Sequence, residues 1–385
     1  MNKGLFDNVK ILDFTQIVAG PFATMQLALQ GAEVIKVERP REGDMMRSIM
    51  AEPPFRDQNT SAGFIAFNLS KKSLTLDLKA EPARDILAPL VTAADVVVEN
   101  FRPGVMAGLG LDAETLRRDR PDLVYCSISG FGQTGPSSGK RAYDGAIQAE
   151  SGMMSVTGYA GGDPLRAGYF AVDIPTGYAA AFAIAGALLK AQTTGKGCYL
   201  DVAMTDTALS LMAMQINEYF QHDTVPKRLG NMSAARTLSD NCYATADGAI
   251  SIVALTQPQI KALHQVLSLT GIPTAADMAA VFRTATSRDW HARLSSVGVP
   301  SGIVRDLPEA LADPQLEMRT ILSAVQRPTG LDGEAVTVVG SPFVVSPTAT
   351  IAQPAPSLGE HTEDLLRNCG FTMQQIENWR AAGVV

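Results

Sequence analysis

The run VKILDFTQIVAGPFATMQLALQGAEVIKVE, residues 9–38, decides the fold. It opens with a buried-strand pattern over residues 9–15. A loop, QIVAGP, follows, then a helix over about 21–30 that Gly31 ends. A second strand pattern, EVIKVE, finishes at Glu38. Strand, loop, helix and strand in that order make a parallel βαβ unit of the doubly wound kind.

The alternation continues downstream. A helix is expected near 82–93, a strand at 96–100 (VVVEN), a helix near 112–119 stopped by Pro121, and a strand at 123–131 (LVYCSISGF). The pattern predicts an α/β fold with an open, mostly parallel sheet and helices on both faces. Ligands of such a sheet bind outside the carboxyl ends of the strands.

Residues 167–206 add the longest helix, over about 174–194. It is rich in Ala, carries Pro175 in its first turn and stops at Gly195. Asp173 stands just ahead of it and reads as an N-cap, held ionised by the positive helix end. Such a carboxylate is a capping group or a nucleophile, and position alone favours the cap. A strand at 197–204 and a helix at about 205–221 follow.

The character then changes. Residues 222–247 are polar and irregular. A strand at 249–255 and helices at 257–268, 275–282 and 288–297 indicate a smaller α+β domain. The tract 327–357 is rich in Pro, Gly and Ser, with one strand pair expected around VTVVG and FVVS. Two helices close the chain. These readings divide it into a large domain at 1–222, a small one at 223–325, and a linker with returning C-terminal helices at 326–385.

The bulk numbers exclude several classes. The 385 residues are 46% apolar and 18% charged, with a net charge of -7. That supports a substantial core and leaves no electrostatic footprint for nucleic acid. The four cysteines and four histidines show no ligand spacing, so no metal is expected, and a reducing compartment is. No signal-peptide pattern opens the chain, and the longest apolar run, within 178–189, is short for a bilayer. A soluble, cytoplasmic protein without membrane attachment is expected.

The first loop lacks the G-x-G-x-x-G spacing of a dinucleotide site, although Glu38 stands where a ribose-binding acid would. Basic residues near strand ends (Arg39, Lys71, Lys72, Lys79, Arg102, Arg141) form a set suited to a phosphate-bearing ligand, with Asn100 and Tyr143 beside them. Each alone is ordinary solvated surface.

Many collinear segments resemble the class III CoA-transferases, the CaiB/BaiF family of formyl-CoA transferase and carnitine CoA-transferase type. They are residues 12–47, NLSKKSLTLDLK (68–79), VVVENFRPGVMAGLGLD (96–112), SISGFGQTGP (127–136), AYDGAIQAESGMMSVTG (142–158), VDIPTG (172–177) and TGKGCYLDVAMTD (194–206). GVPSGIV, DPQLEMR and APSLGEHTEDLL extend the resemblance to the C-terminal part.

The resemblance implies a Rossmann-like large domain, a small domain joined by long linkers, and an interlocked-ring homodimer. It implies that Asp173 is the catalytic carboxylate and that CoA moves through an aspartyl anhydride and an aspartyl-CoA thioester. CoA contacts then fall on Gln16, Ile17, Ala19, Arg39, Leu76, Lys79, Asn100, Phe101, Arg102, Arg141, Tyr143, Asp144 and Met204. No tightly bound cofactor is implied; coenzyme A and its acyl esters are substrates, with an acid such as succinate, itaconate, mesaconate or malate. Val18 stands where formyl-CoA transferase has a catalytic glutamine, Gly108 replaces a frequent arginine, and no polyglycine loop occurs in 222–250. These departures point away from formyl-CoA and oxalate. Two alternatives stay open. One is an acyl-CoA racemase, whose His–Asp pair is here Tyr143 and Asp144. The other is a non-catalytic binder of CoA esters.

Overall fold

A computed structural model describes residues 4–49, 51, 55, 58–269, 271–329, 334–346 and 352–385. Six strands form its main sheet: β1 (Lys10–Asp13), β2 (Glu33–Glu38), β3 (Lys71–Thr75), β4 (Val96–Glu99), β5 (Val124–Ser129) and β6 (Tyr199–Ala203). Their order is β3-β2-β1-β4-β5-β6 and every pairing is parallel. The order reverses direction at β1, so the loops after β1 and β4 flank the crevice where such sheets bind ligands.

The helices up to residue 222 are α1 (Ala19–Ala28), α2 (Ala62–Phe67), α3 (Ala83–Ala93), α4 (Val105–Leu109), α5 (Ala113–Asp119), α6 (Asp144–Glu150), α7 (Met153–Val156), α8 (Asp173–Thr194), α9 (Met204–Leu211) and α10 (Ala213–His222). On one sheet face, Ala23 and Leu27 of α1 and Ala180, Ile184 and Leu188 of α8 pack on Val34, Val96, Val98 and Val124. On the other, Ile86 and Leu87 of α3 and Leu365, Leu366 and Ile376 near the C-terminus cover Leu12, Val97 and Tyr125.

Gly177 sets how closely α8 approaches α1. A Cβ there would lie 2.7 Å from Phe22 Cδ1 and 2.8 Å from the Ala19 carbonyl oxygen. The alanine-rich face of α8 brings it onto α1, and one position has no room even for a methyl group. Gly177→Ala is expected to destabilise the protein by about 1–3 kcal/mol, read by urea unfolding. A wild-type midpoint would show that α1 yields.

Two compact units divide the chain. One holds residues 4–151, 168–213 and 316–385; the other holds 152–167 and 214–315. The expected boundary at 222 is thus at 213, and residues 152–167 group with the second unit. That unit carries an antiparallel sheet of β7 (Asp240–Ala244), β8 (Ala249–Val253) and β9 (Ser301–Ile303). Its core stacks Tyr243 on Phe282, ring centroids 4.9 Å apart, with Trp290 edge-on to Phe282.

Several expectations are corrected. β3, α2 and α4 were not read from the sequence: KKSLT opens with two lysines, and α2 and α4 are too short to show a period. The helix expected at 205–221 is two, α9 and α10. The irregular tract 222–247 ends in β7. Residues 336–339 pair antiparallel with 322–325, while residues 343–346 form no strand. Taken whole, the 22-residue α8 is long and apolar enough to cross a membrane by length and composition, beyond its longest apolar run. In the fold its buried apolar residues face α1 and the sheet.

Candidate active site

The site begins with the chain leaving β1. Thr15 makes two bonds to Asp13, whose Oδ1 accepts from the Thr15 N–H at 2.9 Å and from its hydroxyl. Gln16 is held from 84 residues away: its N–H donates to Asn100 Oδ1 at 2.9 Å, and Asn100 Nδ2 donates back to its carbonyl at 2.8 Å. Ile17 has a φ of 74°, in the left-handed region, and its N–H donates to Asp44 Oδ1 at 3.0 Å. Val18 and Ala19 then start α1.

Other strand ends converge here. β4 delivers Asn100, Phe101 and Arg102, with Glu99 turned inward to accept the Phe101 N–H at 2.9 Å. β5 delivers Ser129 and Gly130, and the start of α6 brings Tyr143. Met204 opens α9, and Asp173 opens α8.

These residues line a cavity of about 360 Å³: Gln16, Ile17, Ala19, Asn100, Phe101, Arg102, Arg141, Tyr143, Asp173 and Met204. A second, of about 850 Å³, is lined by Arg39, Leu76 and Lys79. Both include Gln16 and Phe101, so they adjoin through those two side chains. Among the residues that the resemblance assigns to the site, only Asp144 stands outside both linings.

Asp144 is buried. Its Oδ2 accepts from the N–H groups of Val172 at 2.8 Å and Asp173 at 3.0 Å, and its Oδ1 accepts from the Gln148 amide. It therefore caps α8 from a neighbouring helix, and the expectation that it contacts ligand is corrected.

Asp173 is also not the N-cap. Val172 holds that position and Asp173 is the first helical residue. Among the described residues, no group donates a hydrogen bond to its carboxyl. Burial pushes the Asp173 carboxyl up to about 7, and the nearby Asp144 carboxylate adds to the shift. The helix end was expected to hold it ionised; desolvation, with a like charge added, works against that.

Lys71 and Lys72 are corrected as phosphate ligands. Lys71 is fully buried, 2.9 Å from Asp13 Oδ2, and Lys72 pairs with Glu33 at 2.5 Å. Glu38 is buried against Arg47 rather than open to a ribose, with two 2.8 Å contacts. Arg39 lines the larger cavity while paired with Glu42 at 2.8 Å on an exposed surface, so a ligand must compete with that pair. Sequence reasoning missed Pro103, Ser138 and Lys140 in the smaller cavity and Arg41 in the larger. Only Lys140, next to Arg141, carried a signal; Ser138 lies in a loop without periodicity.

The arrangement places the Asp173 carboxyl in one cavity and Arg39, Arg41 and Lys79 in the lining of the adjoining one, together with Glu42 and Asp77. Among the described residues no three His, Cys, Asp or Glu side chains are placed to hold a metal ion.

Comparison with known proteins agrees with this chemistry. The family model for CoA-transferase family III matches residues 6–362. The chain is 34% identical over 382 residues to the succinate–glutarate CoA-transferase of Agrobacterium fabrum, covering 93% of this chain and 94% of that protein. It is 35% identical to the succinyl-CoA:mesaconate CoA-transferase of Haloarcula hispanica, covering 95% and 97%. A crystal structure of a CaiB/BaiF family protein from Brucella suis superimposes with a TM-score of 0.81 at 30% identity, covering 96% of this chain and all of that one. The match along nearly the whole length places the chain in CoA-transferase family III, as an acyl-CoA:carboxylate CoA-transferase.

Proposed function

We propose that Asp173 carries the CoA group between two acids, and that the acids are small dicarboxylates. The observation that carries this reading is the Asp173 carboxyl, open to a cavity and without a hydrogen bond among the described residues, beside a second cavity that Arg39, Arg41 and Lys79 help to line. The dicarboxylates named for the Agrobacterium and Haloarcula relatives, succinate, glutarate and mesaconate, support the substrate class.

The chemistry balances without a metal, a redox group or ATP. The Asp173 carboxylate attacks the thioester carbonyl of the donor, the C–S bond breaks, and an aspartyl anhydride and CoA thiolate result. The thiolate attacks the aspartyl carbonyl and expels the donor acid as its carboxylate, leaving aspartyl-CoA thioester. The acceptor carboxylate then attacks that thioester, the thiolate leaves again, and it attacks the acceptor carbonyl of the new anhydride. Asp173 is regenerated and no proton is consumed. Gln16, Ile17, Ala19, Asn100, Phe101, Arg102, Arg141, Tyr143 and Met204 surround the thioester end of CoA, while Arg39, Leu76 and Lys79 receive its nucleotide end. Incubation with succinyl-CoA and hydroxylamine should leave a hydroxamate on the peptide containing Asp173, read by mass spectrometry. Absence of the adduct during active turnover would remove Asp173 from the pathway.

The raised pKa gives a direction for pH. Only the ionised carboxylate attacks, so kcat/KM should rise about tenfold per pH unit up to about 7 and level off above it. An acid limb centred near 4 instead would mean that the groove does not desolvate Asp173 in solution.

We also propose a homodimer of interlocked rings in the cytoplasm. The stripe Tyr178, Phe182 and Leu189 along α8 supports a partner, Phe182 being 83% exposed. Light scattering on eluted protein reads the dimer, and a monomer mass at working concentration would refute it.

A further inference from the structure

We propose that the buried Lys36–Asp44 ion pair is a positioning device for the first loop, holding Ile17 in a left-handed backbone conformation so that Gln16 and Ile17 wall the cavity beside Asp173. The inference rests on the reading of that cavity as the thioester site.

The geometry is specific. Ile17 has a branched Cβ, and at a φ of 74° that branching crowds the backbone. Such a conformation persists only when its surroundings over-determine it. Here they do. Asp44 Oδ1 accepts the Ile17 N–H at 3.0 Å, and Asp44 Oδ2 lies 2.8 Å from Lys36 Nζ, with both side chains wholly buried. The same Lys36 Nζ donates to the Thr15 carbonyl at 2.7 Å. The pair thus grips the chain on both sides of Gln16, whose own N–H and carbonyl are both taken by Asn100.

Lys36 enters from β2, level with Asp13 of β1. Burial works against its charge, but the carboxylates of Asp44, Asp13 and Glu38 outweigh burial and hold its pKa above the ordinary lysine value. A buried ion pair is weak support for stability, since apolar residues of like volume often do as well. A role in placing the loop accounts for two charges where apolar side chains would serve the core.

The test is a double-mutant cycle. Asp44→Asn changes no volume, but one side of the amide must then present N–H to another donor, either Lys36 or the N–H groups of Ile17 and Met46. Glycine adopts a φ of 74° without strain, so Ile17→Gly removes the need for the clamp. With Ile17 present, Asp44→Asn should lower kcat/KM for succinyl-CoA roughly 10- to 100-fold. In the Ile17→Gly background the same change should cost about threefold or less. Equal factors in the two backgrounds would overturn the proposal. Should Asp44→Asn fail to fold by circular dichroism, the paired Lys36→Met and Asp44→Leu variant serves. It removes both charges together, so it should fold and yet lose activity by the same factor; full activity in that folded protein would also overturn the proposal. Asp173→Asn is assayed alongside. If it stays active, the reading of the site fails; if it is dead while the Asp44 and Lys36 variants are fully active, only the positioning role fails.

Discussion

Asp173→Asn is expected to abolish CoA transfer, with kcat lower by roughly 10⁴-fold or more, and at the same time to raise the melting temperature at pH 8. The loss follows from removing the nucleophile from a reaction in which every step passes through it. The gain follows from linkage. In the unfolded chain Asp173 has the ordinary value of 3.8, and burial in the fold raises it to about 7. The native state therefore binds a proton that the unfolded state has already released, and stability falls as pH rises from 3.8 to 7. Above about 7 the full cost of an ionised, partly desolvated carboxylate is present. Asparagine has the same shape and no charge to desolvate, so the variant should melt a few degrees higher at pH 8. The difference should shrink as pH falls through about 7 and vanish below about 4. Scanning calorimetry at pH 4 and pH 8 reads it, and equal melting temperatures at pH 8 would mean that Asp173 is solvated in the native protein.

Arg47→Ala should destabilise the protein by about 3–5 kcal/mol, a large part of the stability of a typical domain. Arg47 Nε and one terminal nitrogen each lie 2.8 Å from the Glu38 carboxylate, and neither side chain is more than 1% exposed. The guanidinium also stacks on the Phe64 ring, 3.6 Å from its centroid, and donates to the Asn59 and Pro356 carbonyls. Removing it leaves Glu38 buried with Ser73 and the Asp44 N–H as its remaining donors. Urea unfolding at pH 7 measures the loss, and a change under about 1 kcal/mol would mean that water enters and solvates Glu38. In the wild type, burial raises the Glu38 pKa, but Arg47 and its other partners prevail and hold it below the ordinary 4.5. This contribution is therefore present above pH 4.5 and lost as pH falls through the lowered value, while Arg47→Ala should flatten that acid limb.

How much was legible depended on the range of the interactions involved. The β1–α1–β2 run was readable because a period of two giving way to a period near 3.6 is a local signal. The two C-terminal helices were readable for the same reason, as was Gly195, whose φ of 67° closes α8. β3 was not: Lys71 and Lys72 look like surface, and only the arrival of Asp13, 58 residues earlier in the chain, makes Lys71 a core residue. Apart from Asp144, the residues that the resemblance assigns to CoA line one cavity or the other, because the loops that carry them are collinear with the motifs.

The order of strands and helices, the place of Asp173 at the head of the longest helix, and the cations of the groove are written in the sequence itself. They arise from the local pattern of apolar residues, Pro and Gly, which needs no partner to act. The protonation of Asp173 and the left-handed turn at Ile17 are decided only by the tertiary structure. The first depends on burial of the carboxyl, with the Asp144 carboxylate 29 residues upstream adding to it, and the second on Asp44, 27 residues downstream. Burial then strengthens the resulting electrostatics in a way that one-dimensional spacing does not encode.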